Sequence, residues 1–215
     1  MPKYIVQKAV LGISALIIAV VTIGTISDSL ATAQTLPPVE KMTQERSLGN
    51  QNAKVIVIEY ASLTCSHCAT FHTGPLPVIK KEYVDTGKVK FIFRDFPLDR
   101  VALAASMIAR CAPQERYFGI INLMFETQET WRAADNPQAA LANIGRLAGI
   151  SKETLQTCLQ NRFVFDAIMK QRNEGEKKYQ INSTPTILVN GQKIDMPFSH
   201  GEDASMHRTR NVMEF

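Results

Sequence analysis

The pattern of apolar and polar positions changes character four times along the chain. Val55-Ile56-Val57-Ile58 continues into Glu59-Tyr60 as a continuous β-branched run. Such a run predicts a strand buried on both faces over residues 54–60. Val89, Phe91 and Phe93 alternate with polar neighbours and predict a second strand over 88–94. Between them a helix should start near Cys65 and run towards Tyr83, interrupted at Gly74-Pro75 and Pro77, because proline inside a helix kinks or breaks it. Asp85-Thr86-Gly87 is a turn. Strand, helix and strand in one sheet imply a right-handed crossover and a parallel pair.

Strand periodicity then disappears for about eighty residues. Val101 to Ala112 is alanine-rich and helical, and an aromatic and aliphatic stretch follows up to Gln128. Asp135 or Asn136 caps a helix with Pro137 in its first turn, and Ser151 caps the next. A longer helix covers Phe163 to about Tyr179. Trp131 and its apolar neighbours read as core of this block. Strand character returns at Thr186-Ile187-Leu188-Val189, and Asn190-Gly191 before Gln192-Lys193-Ile194 is a hairpin signal. The fold class is α/β: residues 51–99 and 181–198 form a sheet domain, and 100–180 an all-helical insertion.

Outside these elements the pattern is different. Ala9 to Ile26 is nearly all apolar, follows Lys3 and Lys8, and precedes the small-x-small triplet Ala31-Thr32-Ala33. Residues 1–33 therefore read as an export signal, with an uncleaved membrane anchor as the alternative. Either reading places the rest of the chain outside the cytoplasm, where disulfides persist. Residues 34–50, with Pro37-Pro38, read as a flexible lead-in too short for a dimerisation domain, so a monomer is expected. Residues 199–215 lack any 3.6-residue period and read as a poorly ordered tail, with His200 and His207 solvated. Among all 215 residues the formal net charge is only +4, with no basic stripe interleaved with aromatics, which argues against nucleic acid as a partner.

The chemistry lies in four cysteines. Cys65-Ser66-His67-Cys68 stands where a strand hands over to a helix, which points to a dithiol redox centre. Unpaired N–H groups at the helix start stabilise a Cys65 thiolate, and His67 adds a donor or positive charge beside it. Cys68 lies one turn in, on the same side. A zinc site would need more ligands than these two thiols and His72, since there is no second C-x-x-C. No metal and no cofactor are expected. Cys111 and Cys158, each on an apolar helical face, are left for each other as a structural disulfide, the alternative being two buried free thiols. Thr184-Pro185 before the late strand fits a cis-proline loop, or an ordinary trans proline opening that strand.

Taken in order, these features resemble the thioredoxin superfamily, and more closely its DsbA-like oxidoreductases. The resemblance runs from about Ser47 to Ile194 and is carried by Cys65-Ser-His-Cys68, Phe71-His72, Leu76-Pro77, Gly87-Lys88-Val89, Arg94-Asp95-Phe96-Pro97-Leu98 and Thr184-Pro185-Thr186. It implies a thioredoxin fold with an inserted helical domain. It also implies that Cys65 is the exposed nucleophile and Cys68 the buried resolving thiol. Pro185 would be the cis-proline against the disulfide, and the Thr184 backbone would pair with a substrate peptide. Glu59, six residues before Cys65, would be the buried acid that accepts the Cys68 proton, the alternative being a surface-facing Glu on an edge strand.

The activity implied is a periplasmic thiol oxidase. Its partners would be exported cysteine-containing proteins or peptides, and a quinone-linked membrane oxidase of the DsbB type. Thr184 stands where some strong oxidants carry valine, and its hydroxyl shifts the redox balance. An isomerase or reductase of the same superfamily is the alternative, and a Cu(I)-binding exported module is a third reading.

Overall fold

The apolar run around Val57 is the middle strand of a five-stranded sheet. The computed structural model describes residues 35–194. The strands are β1 (Arg46–Gly49), β2 (Val55–Ala61), β3 (Val89–Asp95), β4 (Thr186–Val189) and β5 (Gln192–Ile194), in spatial order β1-β3-β2-β4-β5. β2 and β3 are parallel, from Val55 opposite Val89 to Ala61 opposite Asp95. The other three pairings are antiparallel. The β4–β5 hairpin turns at Asn190 and Gly191, with φ of 47° and 83°, the left-handed backbone a tight two-residue turn needs.

Both faces of β2 are covered, and the period of two sorts its residues. Val55, Val57 and Ala61 join Phe71, Phe93 and Phe125 in the larger core. Ile58 and Tyr60 join Ile92, Phe96, Ile181 and Leu188 on the opposite face. Glu59 shares the period of Val57 and Ala61 and therefore points into the larger core. Across that face lie α2 (Ser66–Thr73), α3 (Pro75–Ile79) and a π-helical turn (Lys80–Val84). The proline at the start of α3 breaks the helix where the sequence predicts the interruption.

The helical block comprises α4 (Arg100–Cys111), α5 (Tyr117–Glu126), α6 (Gln128–Arg132), α7 (Pro137–Leu147), α8 (Lys152–Leu159) and α9 (Arg162–Tyr179). Its helices carry their own stop and start chemistry. Asp99, Asn136, Ser151 and Asn161 each accept a backbone N–H three residues on, at 2.8 to 3.2 Å. A disulfide joins Cys111 at the end of α4 to Cys158 on α8. α9 then returns to the sheet. An added Cβ at Gly175 would lie 2.7 Å from the Tyr60 ring, so only glycine admits that approach.

One expectation is overturned. Of the expected flexible lead-in 34–50, the described residues 35–50 supply a short helix α1 (Val39–Thr43) and the edge strand β1. β1 pairs with β3 from Arg46 opposite Phe93 to Gly49 opposite Lys90, so the sheet begins before residue 51. Its polar sequence hides a strand held by its backbone ladder and by Arg46, whose guanidinium lies 4.6 Å from the Tyr117 ring centroid. Met42 of α1 is buried with Met107, Val164 and Ile168. Among the described residues no helix is long and apolar enough to cross a membrane. The apolar run 9–26 and the tail 199–215 lie outside the described residues.

Candidate active site

β2 ends at Ala61, and the next residues turn the chain into α2. Cys65 is the N-cap of α2 with extended backbone, its N–H bonded to the Ser62 carbonyl at 3.0 Å. The loop is braced from two sides. Thr64 donates its hydroxyl to Asp99 Oδ2 at 2.6 Å, and the Leu98 N–H reaches Ser62 Oγ at 3.3 Å. From the helical block, the buried Gln128 amide donates both hydrogens, to the Leu63 carbonyl at 2.8 Å and the Cys65 carbonyl at 2.9 Å. Nothing in the sequence links Gln128 to Cys65, since they lie 63 residues apart and on different elements.

The two thiols are free, and their surroundings differ. Cys65 is half-buried, and its Sγ lies 3.2 Å from the Thr184 carbonyl. The Thr184–Pro185 peptide is cis. The Cys65 thiol is lowered to about 5 from 9.0. The Cys68 thiol donating to its sulfur is the main cause; burial opposes it, and Thr184 and the backbone N–H groups of Cys68 and His67 add to it. Cys68 is fully buried. Burial, the neighbouring Cys65 sulfur and the Glu59 charge push its thiol well above 9.0. The His67 side chain is exposed, and its backbone N–H reinforces the effect on Cys65.

Glu59 is fully buried beneath α2, where it accepts a hydrogen bond from His72 Nε2 at 2.8 Å. The sequence offers His72 as part of the family-like helix and as a possible metal ligand, with no partner named for it. The signal for its actual place was the spacing: Cys68 and His72 are four apart and share one face of α2. The structure thus places the Thr184 carbonyl and the Gln128 amide against Cys65 at the start of α2, with Cys68 one turn in, and Glu59 against His72 in the last turn of the same helix. Cys111 and Cys158 belong to the helical block. Among the described residues no group of three or more His, Cys, Asp or Glu is placed to hold a metal ion.

A polarised pair of thiols at a helix start, a cis-proline opposite them and a helical block inserted into the sheet define a thioredoxin fold of the DsbA-like type. The family profile described as thioredoxin matches residues 41–204, and the chain belongs to that family. It is 34% identical over 149 residues to a Rickettsia typhi protein provisionally named a protein-disulfide oxidoreductase, covering 69% of this chain and 55% of that one. It is 27% identical over 152 residues to disulfide bond formation protein D of Bacillus subtilis, covering 68% of each. The chain spans little more than half the length of the Rickettsia relatives it matches. Among solved structures it is similar to alpha-DsbA1 of Wolbachia pipientis, with a TM-score of 0.68 and 29% identity, covering 83% of this chain and 92% of that one. Oxidised BdbD of Bacillus subtilis shares the fold, with a TM-score of 0.65 at 22% identity, covering 85% of this chain and 98% of that one.

Proposed function

We propose that this chain is a thiol:disulfide oxidoreductase that donates a Cys65–Cys68 disulfide to exported cysteine-containing proteins. The observation that carries the reading is the opposition of the two thiols. Cys65 is accessible and lowered to about 5, whereas Cys68 is buried and pushed well above 9.0. At neutral pH the reduced protein therefore holds a thiolate at Cys65 and a proton at Cys68. Stabilising that thiolate stabilises the reduced form, which makes the disulfide a stronger oxidant.

The exchange follows from this asymmetry. In the oxidised protein a substrate thiolate attacks Cys65 Sγ, the Cys65–Cys68 bond breaks, and Cys68 leaves and takes up a proton. A second substrate thiolate then attacks the substrate sulfur of the mixed disulfide. Cys65 leaves as a thiolate, and its low pKa makes it a good leaving group. The substrate thiols are oxidised by two electrons and the protein disulfide is reduced. The backbone at Thr184 supplies an edge on which an extended substrate segment pairs.

The Cys111–Cys158 disulfide supports work in an oxidising compartment, the periplasm. Re-oxidation there falls to a quinone-linked membrane oxidase of the DsbB type. The name of the Bacillus subtilis relative, a disulfide bond formation protein, agrees with this direction.

Trapping tests the reading. In Cys68→Ser protein carrying glutathione at Cys65, the thiolate of a one-cysteine peptide is expected to attack Cys65 Sγ, release glutathione as its thiolate and remain bound as a mixed disulfide. Cys65→Ser protein is expected to retain none. A Cys68→Ser protein that holds no peptide at Cys65 contradicts the proposal.

A further inference from the structure

The buried acid beneath Cys68 does not stand alone. β2 aims Glu59 into the core under α2, and α2 stacks Cys68 and His72 one turn apart on its buried face. His72 Nε2 lies 2.8 Å from Glu59 Oε2, and the two side chains are 1% and 0% exposed. The imidazole is boxed by three phenyl rings. Phe125 lies 4.1 Å away at 30°, Phe93 5.8 Å at 79°, and Phe71 5.9 Å at 83°. That box fixes the ring orientation and keeps the pair in an apolar setting.

A carboxylate only accepts hydrogen bonds, so the short contact makes Nε2 the donor. With a neutral imidazole the pair carries one negative charge, and two of its atoms remain uncommitted. Glu59 Oε1 and His72 Nδ1 are buried without a partner among the described residues. The charge of Glu59 acts on Cys68 from β2 and on Tyr117 from the same side. Asp95, Arg110 and Arg46, all buried, also act on Tyr117. Burying an isolated charge is costly, so a proton passing from Cys68 to the pair has one advantage. It moves the negative charge onto the attacking sulfur without changing the total.

We infer that His72 is a positioning residue for proton transfer at Cys68: by donating Nε2–H to Glu59 Oε2, it holds Oε1 as the acceptor of the Cys68 proton. This rests on the proposed thiol exchange and adds the residue that orients its acid. The step is the closure of a mixed disulfide between Cys65 and glutathione. The Cys68 proton goes to Glu59, directly or through one water. The Cys68 sulfur attacks Cys65 Sγ, the Cys65–Cys68 bond forms and the Cys65–glutathione bond breaks. Glutathione leaves as its thiolate. In this step the Cys68 sulfur is oxidised and the glutathione sulfur reduced; over both steps the dithiol loses two electrons and one oxidised glutathione becomes two reduced ones.

Reduced full-length protein mixed with excess oxidised glutathione, quenched in acid and weighed by mass spectrometry, separates the two steps. His72→Phe fills the same box without a donor, and His72→Gln retains an N–H. In His72→Phe the conversion of mixed to internal disulfide is expected to slow at least about tenfold at neutral pH, with its pH profile moved upward. In His72→Gln the rate and the profile should return towards wild type. Nitrogen NMR of the unmodified protein should show His72 protonated on Nε2 and bare on Nδ1, a result that does not depend on the variants folding. A wild-type profile in His72→Phe, equal slowing in both variants without a shift, or the opposite tautomer each overturn the inference. Wild-type protein that forms no mixed disulfide at Cys65 overturns this inference and the functional reading together. Normal wild-type behaviour with an unmoved His72→Phe profile overturns this inference alone.

Discussion

The reactivity of Cys65 is set mainly by atoms within one turn of it, with Thr184 adding to them from across the site. The largest influence is the Cys68 thiol, so Cys68→Ala should raise the Cys65 pKa from about 5 towards 9.0. Thiolate absorbance followed against pH checks this, and an unmoved titration contradicts it. The same shift makes stability depend on pH. The folded value lies below that of a free thiol, so the thiolate stabilises the reduced protein above about pH 9. That contribution is lost as pH falls towards 5. The oxidised protein has no such group. The melting temperature of the reduced protein relative to the oxidised one should therefore rise between pH 5 and pH 9. Cys68 titrates above this window and leaves the trend intact.

At the scale of elements, α2 is held at its start by a neighbour from the helical block. Gln128→Met preserves the side-chain volume but removes both donors to the loop. The expected result is a raised Cys65 pKa, because the N–H groups of His67 and Cys68 lose their fixed aim. A melting point that falls with no change in that pKa would show a purely structural role. α9 offers a second test. Gly175→Ala drives a methyl into the Tyr60 ring and should destabilise by about 1–3 kcal/mol in chemical denaturation. The elements differ in how legible they were. β2, β3, the broken helix and the hairpin show in local periodicity and turn residues. β1 does not, because its four residues are held by a ladder to β3 and not by an apolar pattern. The placement of Cys65 and Cys68 at a helix start follows from their spacing, and the burial of Glu59 from the resemblance. His72 and Gln128 were missed because their partners come from other elements.

Across the whole molecule, one buried arginine ties three parts together. Arg110 on α4 bonds Asp95 of β3 at 2.6 Å, the carbonyls of Met42 and Gln44, and Gln171 of α9. Arg110→Ala strands the buried Asp95 charge and should cost about 3–5 kcal/mol by denaturation. Next to it the Cys111–Cys158 bridge closes a separation of 47 residues, which in the chain-entropy picture contributes up to about 4 kcal/mol. The fold is thus held at the insertion, while the exchange chemistry sits where the sheet meets α2. In the proposed function this arrangement makes the Cys65–Cys68 disulfide an oxidant. The decisive measurement is the redox potential of that disulfide, by equilibration in glutathione buffers. The expected value is clearly more oxidising than the roughly −270 mV of thioredoxin. A potential at or below that value would contradict it.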